Sequence, residues 1–195
     1  MRDMQRLKPP PGLAAIEQQT KAINFTMASD MWTGSLLRTL AATKIGGAVL
    51  ELGTGTGLAT AWLLDGMDSS ATLLSVDNDD NVVAVARRHL GIDRRVTFVV
   101  ADGASCLRGL LSERRSFDLV FADAIPGKYA NLEEALQLLR VGGVYVVDDM
   151  LPQPNWPADH PAKVSSFLDT LVARRDLQVA TLDWSTGIVI ATKIS

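Results

Sequence analysis

The chain has 195 residues, of which 47% are hydrophobic and 21% charged, and a formal net charge of −3. That length suits one domain with a full core, and no apolar run approaches the ~18 residues of a membrane-spanning helix. The basic residues are scattered rather than gathered into a stripe, which argues against nucleic acid and against a membrane surface, and leaves a small molecule as the expected partner.

The only cysteine, Cys106, cannot form an intrachain disulfide, and the first residues lack the succession of a secretory signal, so a cytoplasmic setting is expected. Met1 to Gly12 is polar and basic and ends in Pro9-Pro10-Pro11-Gly12, which cannot continue a helix and reads as an arm. From Leu13 to about Leu40 the apolar residues Ile16, Ile23, Phe25, Met27, Met31, Leu36, Leu37 and Leu40 predict helical segments, interrupted near Ser29-Asp30, which caps the second. Residues 13–45 are thus a helical preface.

After Gly46-Gly47 short β-rich runs alternate with helical ones. The predicted strands are Ala48 to Leu52, Thr72 to Val76, Val96 to Val100, Phe117 to Ala122 and Gly143 to Val147. Helical spacing falls around Leu58 to Leu64, Asp79 to Leu90, Ser105 to Leu111 and Asn131 to Leu139, which implies right-handed crossovers and five parallel strands. A further helix near Pro161 to Arg174 leads into Leu177 to Asp183 and Gly187 to Thr192, spaced as an antiparallel hairpin at one sheet edge. The expected fold is a single α/β domain, a Rossmann-like doubly wound sheet of seven strands over residues 46–195. The Pro-rich segment Pro152 to Pro157 reads as a loop over the sheet mouth.

The sharpest chemical signal is Val49-Leu50-Glu51-Leu52-Gly53-Thr54-Gly55-Thr56-Gly57, a strand entering a glycine-rich turn that opens a helix. Such a turn lets backbone approach a ligand, and free amides at a helix start bind an anionic group. The dinucleotide fingerprint G-x-G-x-x-G is not met, because the third glycine comes one place early and Leu58 stands where it is required. Asp77 closes the next strand, where a carboxylate accepts both hydroxyls of a ribose. Asp102 opens Asp102-Gly103-Ala104-Ser105, placed either to read an adenine edge or to cap the following helix. With Glu51, Asp123, Asp148 and Asp149, every parallel strand delivers a carboxylate to one rim, which repels a pyrophosphate and attracts a sulfonium or a divalent metal.

These residues resemble the class I S-adenosylmethionine-dependent methyltransferases over roughly Thr26 to the C-terminus. Within that class they are most similar to the small cation-dependent O-methyltransferases of the catechol and caffeoyl-coenzyme A type. The likeness is carried by Met27 to Gly34, Phe117 to Ala124, Tyr129, Gly142-Gly143, Asp148-Asp149 and the Gly187-containing hairpin. The resemblance implies a cofactor site made by Glu51, Gly53, Thr54, Gly55, Gly57, Asp77, Asn78, Asp102, Gly103, Ala104 and Asp123. It also implies a divalent cation such as magnesium on Asp123, Asp148 and Asp149, a homodimer through the helical preface, and in-line methylation of a small-molecule oxygen.

Two departures from that pattern stand out. The acidic pair is Asp-Asp where the subgroup has Asp-Asn, so the three acids serve either a metal or something else. The family's Asp-Ala-Asp-Lys appears as Asp123-Ala124-Ile125-Pro126-Gly127-Lys128-Tyr129, with Pro126 where the lysine is expected. Candidates for the catalytic step are Asp123, Lys128 and His160, with Lys128 read either as a solvated charge or as reaching the site from a rearranged loop. His89 reads as structural at a helix end. Trp156, and Trp32 with Met31, read as covering a ligand or as anchoring their own segments, and Cys106 as core. Two other functions remain open: an NAD-dependent oxidoreductase, which shares the strand, glycine turn and second-strand acid, and a catalytically inactive cofactor-binding module, for which the missing lysine speaks.

Overall fold

The computed structural model describes residues 7–153 and 156–195; the first six residues of the expected arm and positions 154 and 155 of the Pro-rich loop lie outside them. Two helices precede the sheet, α1 (Leu13–Ala22) and α2 (Met31–Ala42). Asp30 starts α2 as expected, its side chain accepting hydrogen bonds from the amides of Trp32 and Thr33.

There follow β1 (Ala48–Leu52), α3 (Leu58–Gly66), β2 (Thr72–Asp77), α4 (Asp80–Leu90), β3 (Val96–Val100), α5 (Gly103–Ser112), β4 (Phe117–Ala122), α6 (Leu132–Leu138) and β5 (Leu139–Val147). The chain ends in α7 (His160–Val172), β6 (Leu177–Leu182) and β7 (Ile188–Lys193). These are the predicted elements with ends shifted by a few residues. The largest shift is β5, whose register with β4 breaks between Phe117 and Leu119, so four further residues, from Leu139, join ahead of Gly143.

The seven strands form one sheet in the order β3-β2-β1-β4-β5-β7-β6. Strands β1 to β5 are mutually parallel, whereas β7 pairs antiparallel with both β5 and β6. The C-terminal hairpin therefore does not simply append itself: its second strand inserts beside β5 and its first becomes the edge.

Alternation along the strands sorts the core into two layers. Leu50, Leu52, Val120, Ala122, Tyr145 and Val147 face α5, α6 and α7, while Val49, Leu73, Leu119, Phe121 and Val146 face α2 and α3. A third cluster joins α1 to α3 and α4 through Leu13, Ile16, Ala61, Trp62 and Val85. The strand order reverses between β1 and β4, and open α/β sheets bind ligands outside the strand C-termini at such a point. Register aligns those ends: Leu52 pairs with Val76 on one side and Ala122 on the other, so Gly53, Asp77 and Asp123 leave the sheet at one level.

Candidate active site

A cavity of about 500 Å3 opens at this rim. One half of it is built by the turns after β1, β2 and β3. Gly53, Thr54, Gly55, Asp77, Asn78 and Asp102 line it, and Gly103 closes its far wall against the Pro126 ring. Asp77 is fixed by two backbone amides, Gly55 N–H to Oδ2 at 2.8 Å and Asp79 N–H to Oδ1 at 3.0 Å. Each carboxylate oxygen keeps a lone pair for a further donor, which suits a vicinal diol such as that of a ribose.

Three expected members of this half lie elsewhere. Glu51 shares the parity of Val49, so its fully buried side chain points toward α3, where Oε2 accepts from Thr60 at 2.6 Å and from Ser75 at 2.5 Å. Burial pushes its carboxyl up to about 7, and Oε1 has no hydrogen-bond partner. Gly57 is at the start of α3 with φ 91°, and a Cβ there would meet Ala86 of α4 at 2.8 Å, so it serves helix packing. Ala104 lies outside the cavity lining, inside α5. Asp102 proves to be a cap as well as a wall: Oδ1 accepts from the amide and hydroxyl of Ser105, which hold the carboxyl below its usual range.

The other half is made by the loops after β4 and β5, the start of α7 and the segment between α1 and α2. Asp123, Lys128, Tyr129, Asp149 and His160 line it, with Met27, Ala28 and Ser29 above. Burial, then the nearby Asp148 and Asp149, raises the Asp123 carboxyl well above the usual range, while Lys128 and Ser29 act the other way; Ser29 donates to Oδ2 at 2.9 Å. Lys128 is only 5% exposed, and its ammonium donates to the Asp148 carbonyl at 2.7 Å. The reading of Lys128 as a solvated charge is thereby corrected.

What turns Lys128 inward is a compact loop. Ala130 N–H bonds the Ile125 carbonyl at 3.0 Å, Gly127 N–H bonds the Ala130 carbonyl at 2.7 Å, and the Tyr145 hydroxyl holds the Gly127 carbonyl from below. Gly127 has φ 86°, and a Cβ there would run into Leu52. Tyr129 Oη lies 3.1 Å from His160 Nε2, and Trp156 packs on the same imidazole with ring centroids 4.4 Å apart. Burial, then Lys128 and Lys163, lowers the His160 pKa, and burial pushes the Tyr129 hydroxyl up to about 12. This ring pair therefore stays neutral near pH 7.

The comparisons with known proteins fall on the same region. Residues 50–150 match the family model described as a methyltransferase domain. The chain belongs to this methyltransferase-domain family. A Mycobacterium tuberculosis protein named "Probable O-methyltransferase Rv1220c" is 37% identical over 118 residues, which is 58% of this chain and 52% of that protein. The chain thus spans about half the length of the curated relatives it matches. Among solved structures, an O-methyltransferase from Bacillus cereus in complex with SAH superimposes with a TM-score of 0.84 at 22% identity, covering 98% of this chain and 94% of that one. The O-methyltransferase TomG from Streptomyces achromogenes, in complex with SAM, gives 0.84 at 24% identity and coverage of 97% and 92%. These likenesses share the seven-stranded fold.

The methyltransferase domain does not fit the cation expected on Asp123, Asp148 and Asp149. Among the described residues no group of three acidic, histidine or cysteine side chains converges to hold a metal. Asp148 is 2% exposed and absent from the cavity lining, and its Oδ1 already accepts from Thr186 and from the Asp149 amide. The buried Lys128 ammonium brings a positive charge to these acids instead. The acidic rim is also less negative than the sequence suggests, because Glu51 and Asp148 face inward and burial favours the protonated form of Asp123.

Several lining residues of the domain carry no sequence motif. Phe25, rather than Trp32 or Met31, covers the glycine elbow, lying 3.2 Å from where a Gly55 Cβ would be. Trp32 instead packs edge-on against Trp184, and its carbonyl accepts the Trp184 indole N–H at 3.0 Å. Leu58, Val82 and Ile125 add apolar wall. The family likeness over Met27 to Gly34 was the signal for this segment, and it stops short of Phe25.

Proposed function

We propose that this domain is an S-adenosylmethionine-dependent O-methyltransferase that acts on a small molecule. The observation that carries the reading is one cavity with two unlike ends: a glycine elbow beside a fixed Asp77, and a loop cluster holding Lys128, Tyr129 and His160. Its volume is within the roughly 300–1,000 Å3 of small-ligand sites. The residues fit the donor: Asp77 would offer oxygens to a ribose, Asn78, Asp102 and Gly103 would flank an adenine, and the Gly53 to Gly55 backbone would hold the methionyl end. When bound, the donor supplies an electrophilic methyl group on a sulfonium.

The chain's own work is positioning and proton handling. Lys128 steadies negative charge on the acceptor oxygen. The acceptor proton passes through the Tyr129 hydroxyl to Nε2 of His160, which becomes imidazolium. With the donor bound, the methyl group would pass to the acceptor oxygen as the sulfonium reverts to a thioether, so no redox partner would be needed. Phe25, Met27 and Ser29 close over the cavity and keep water from competing.

The test is transfer of a labelled methyl group from S-adenosylmethionine to a panel of phenols, catechols and coenzyme A esters. Labelled ether in the organic extract is expected for at least one member. Binding of the donor product without transfer to any member would leave the inactive binding module as the better description.

A further inference from the structure

We propose that the Lys128 ammonium takes the place of a divalent cation in this domain, and that the acceptor accordingly presents one acidic oxygen, as a phenol does, rather than two adjacent ones. The acceptor half of the proposal rests on the methyl-transfer reading; the electrostatic half does not. A buried lysine is costly unless its charge is met, and here it is met by the Asp148 carbonyl at 2.7 Å and by attraction to the Asp123 carboxyl, which it draws back toward the ionised form. Asp123, Asp149, His160 and Tyr129 line the same end of the cavity, the Tyr129 ring centroid 5.2 Å from Nζ, and Asp123 and His160 both feel the Lys128 charge.

The loop that delivers the ammonium is committed to doing so. Gly127 adopts a left-handed conformation that few residues tolerate, and the Tyr145 hydroxyl anchors its carbonyl. A hard divalent ion demands several oxygens at close, regular spacing. Asp148 Oδ1 already accepts two hydrogen bonds, from Thr186 and a backbone amide, and an ion set between Asp148 and Asp123 would meet the fixed Lys128 charge, which is the larger obstacle. The acceptor consequence follows from donor geometry. A metal can hold two neighbouring oxygens at once, whereas an ammonium with one N–H already spent on Asp148 directs its remaining donors singly. One ionisable oxygen is then enough, its proton leaving through Tyr129 to His160 as the O–CH3 bond forms.

Manganese titration of the purified protein, read by the electron paramagnetic resonance signal of free Mn2+, tests the electrostatic half without any turnover. Wild type is expected to leave the free signal undiminished at equimolar protein, and Lys128→Ala to take up about one Mn2+, lost again when Asp123→Asn is added. Uptake of one equivalent by wild type would overturn the proposal, even if the variants fail to fold. On the panel above, turnover is expected to survive a chelator and to include monohydroxy acceptors, with Lys128→Met lowering kcat at least 100-fold while S-adenosylhomocysteine affinity holds. Turnover confined to vicinal diols and abolished by the chelator would overturn it too. Failure of wild type to bind S-adenosylhomocysteine would instead strike the methyl-transfer reading and leave the manganese result standing.

Discussion

The two ends of the cavity are built on different principles. The end beside β1 and β2 is shaped by backbone: Gly53 N–H bonds the Val76 carbonyl at 2.8 Å, Gly55 N–H bonds Asp77, and strand register alone sets their level. The end beside β4 and β5 is shaped by side chains from four separate segments, with Ser29 reaching Asp123, Lys128 reaching Asp148 and His160 reaching Tyr129. A shared co-substrate asks for the first kind of construction, because register and turns persist while side chains change. A variable acceptor asks for the second.

The sharpest way to break this contrast is Asp77→Ala. If the β1–β2 end holds the ribose, losing two charge-assisted hydrogen bonds costs about 3 kcal/mol, or roughly 100-fold in affinity for S-adenosylhomocysteine. Surface plasmon resonance on the folded variant checks it; unchanged affinity would place the ribose elsewhere.

Glu51→Gln separates the elbow's foundation from its binding surface. The Glu51 carboxyl titrates near 7 in the fold against an ordinary 4.5, so its stabilising contribution is complete below pH 4.5 and lost as pH rises through about 7. At pH 8 the ionised group costs the fold about 3 kcal/mol, which the neutral amide avoids. Urea unfolding should show the variant more stable than wild type at pH 8 and equal to it at pH 4. A difference independent of pH would mean that Glu51 is not buried as an acid.

The smallest effect is expected at Gly57. Forcing a side chain into its left-handed conformation against Ala86 costs about 2 kcal/mol, so Gly57→Ala should lower the urea midpoint while nucleoside affinity changes less than twofold. A large loss of affinity would return Gly57 to the binding surface.

Much of the β1–β2 end was legible in the sequence, since a strand, a glycine turn and the next strand's acid stand in fixed order and parallel register brings them together. What misled there was face rather than position. Glu51 stands one residue from the strand's end, and period-two alternation sends it under α3, as it does Val49. Asp102 could be read either way because one side chain both caps α5 and lines the wall. The β4–β5 end resisted because its contacts span distances such as Ser29 to Asp123 and Tyr129 to His160, which no local spacing encodes. Lys128 had one usable signal, the glycine before it, which marks a turn able to point a side chain back into the protein. The inserted β7 shares this cause: a hairpin's spacing fixes its turn, not which of its strands meets the sheet.

Calorimetric titration of the wild-type protein with S-adenosylhomocysteine, and separately with NAD, bears most directly on the cavity's purpose. One-site heat with the thioether nucleoside and none with the dinucleotide is the expected result. Saturable binding of NAD with silence toward S-adenosylhomocysteine would contradict it.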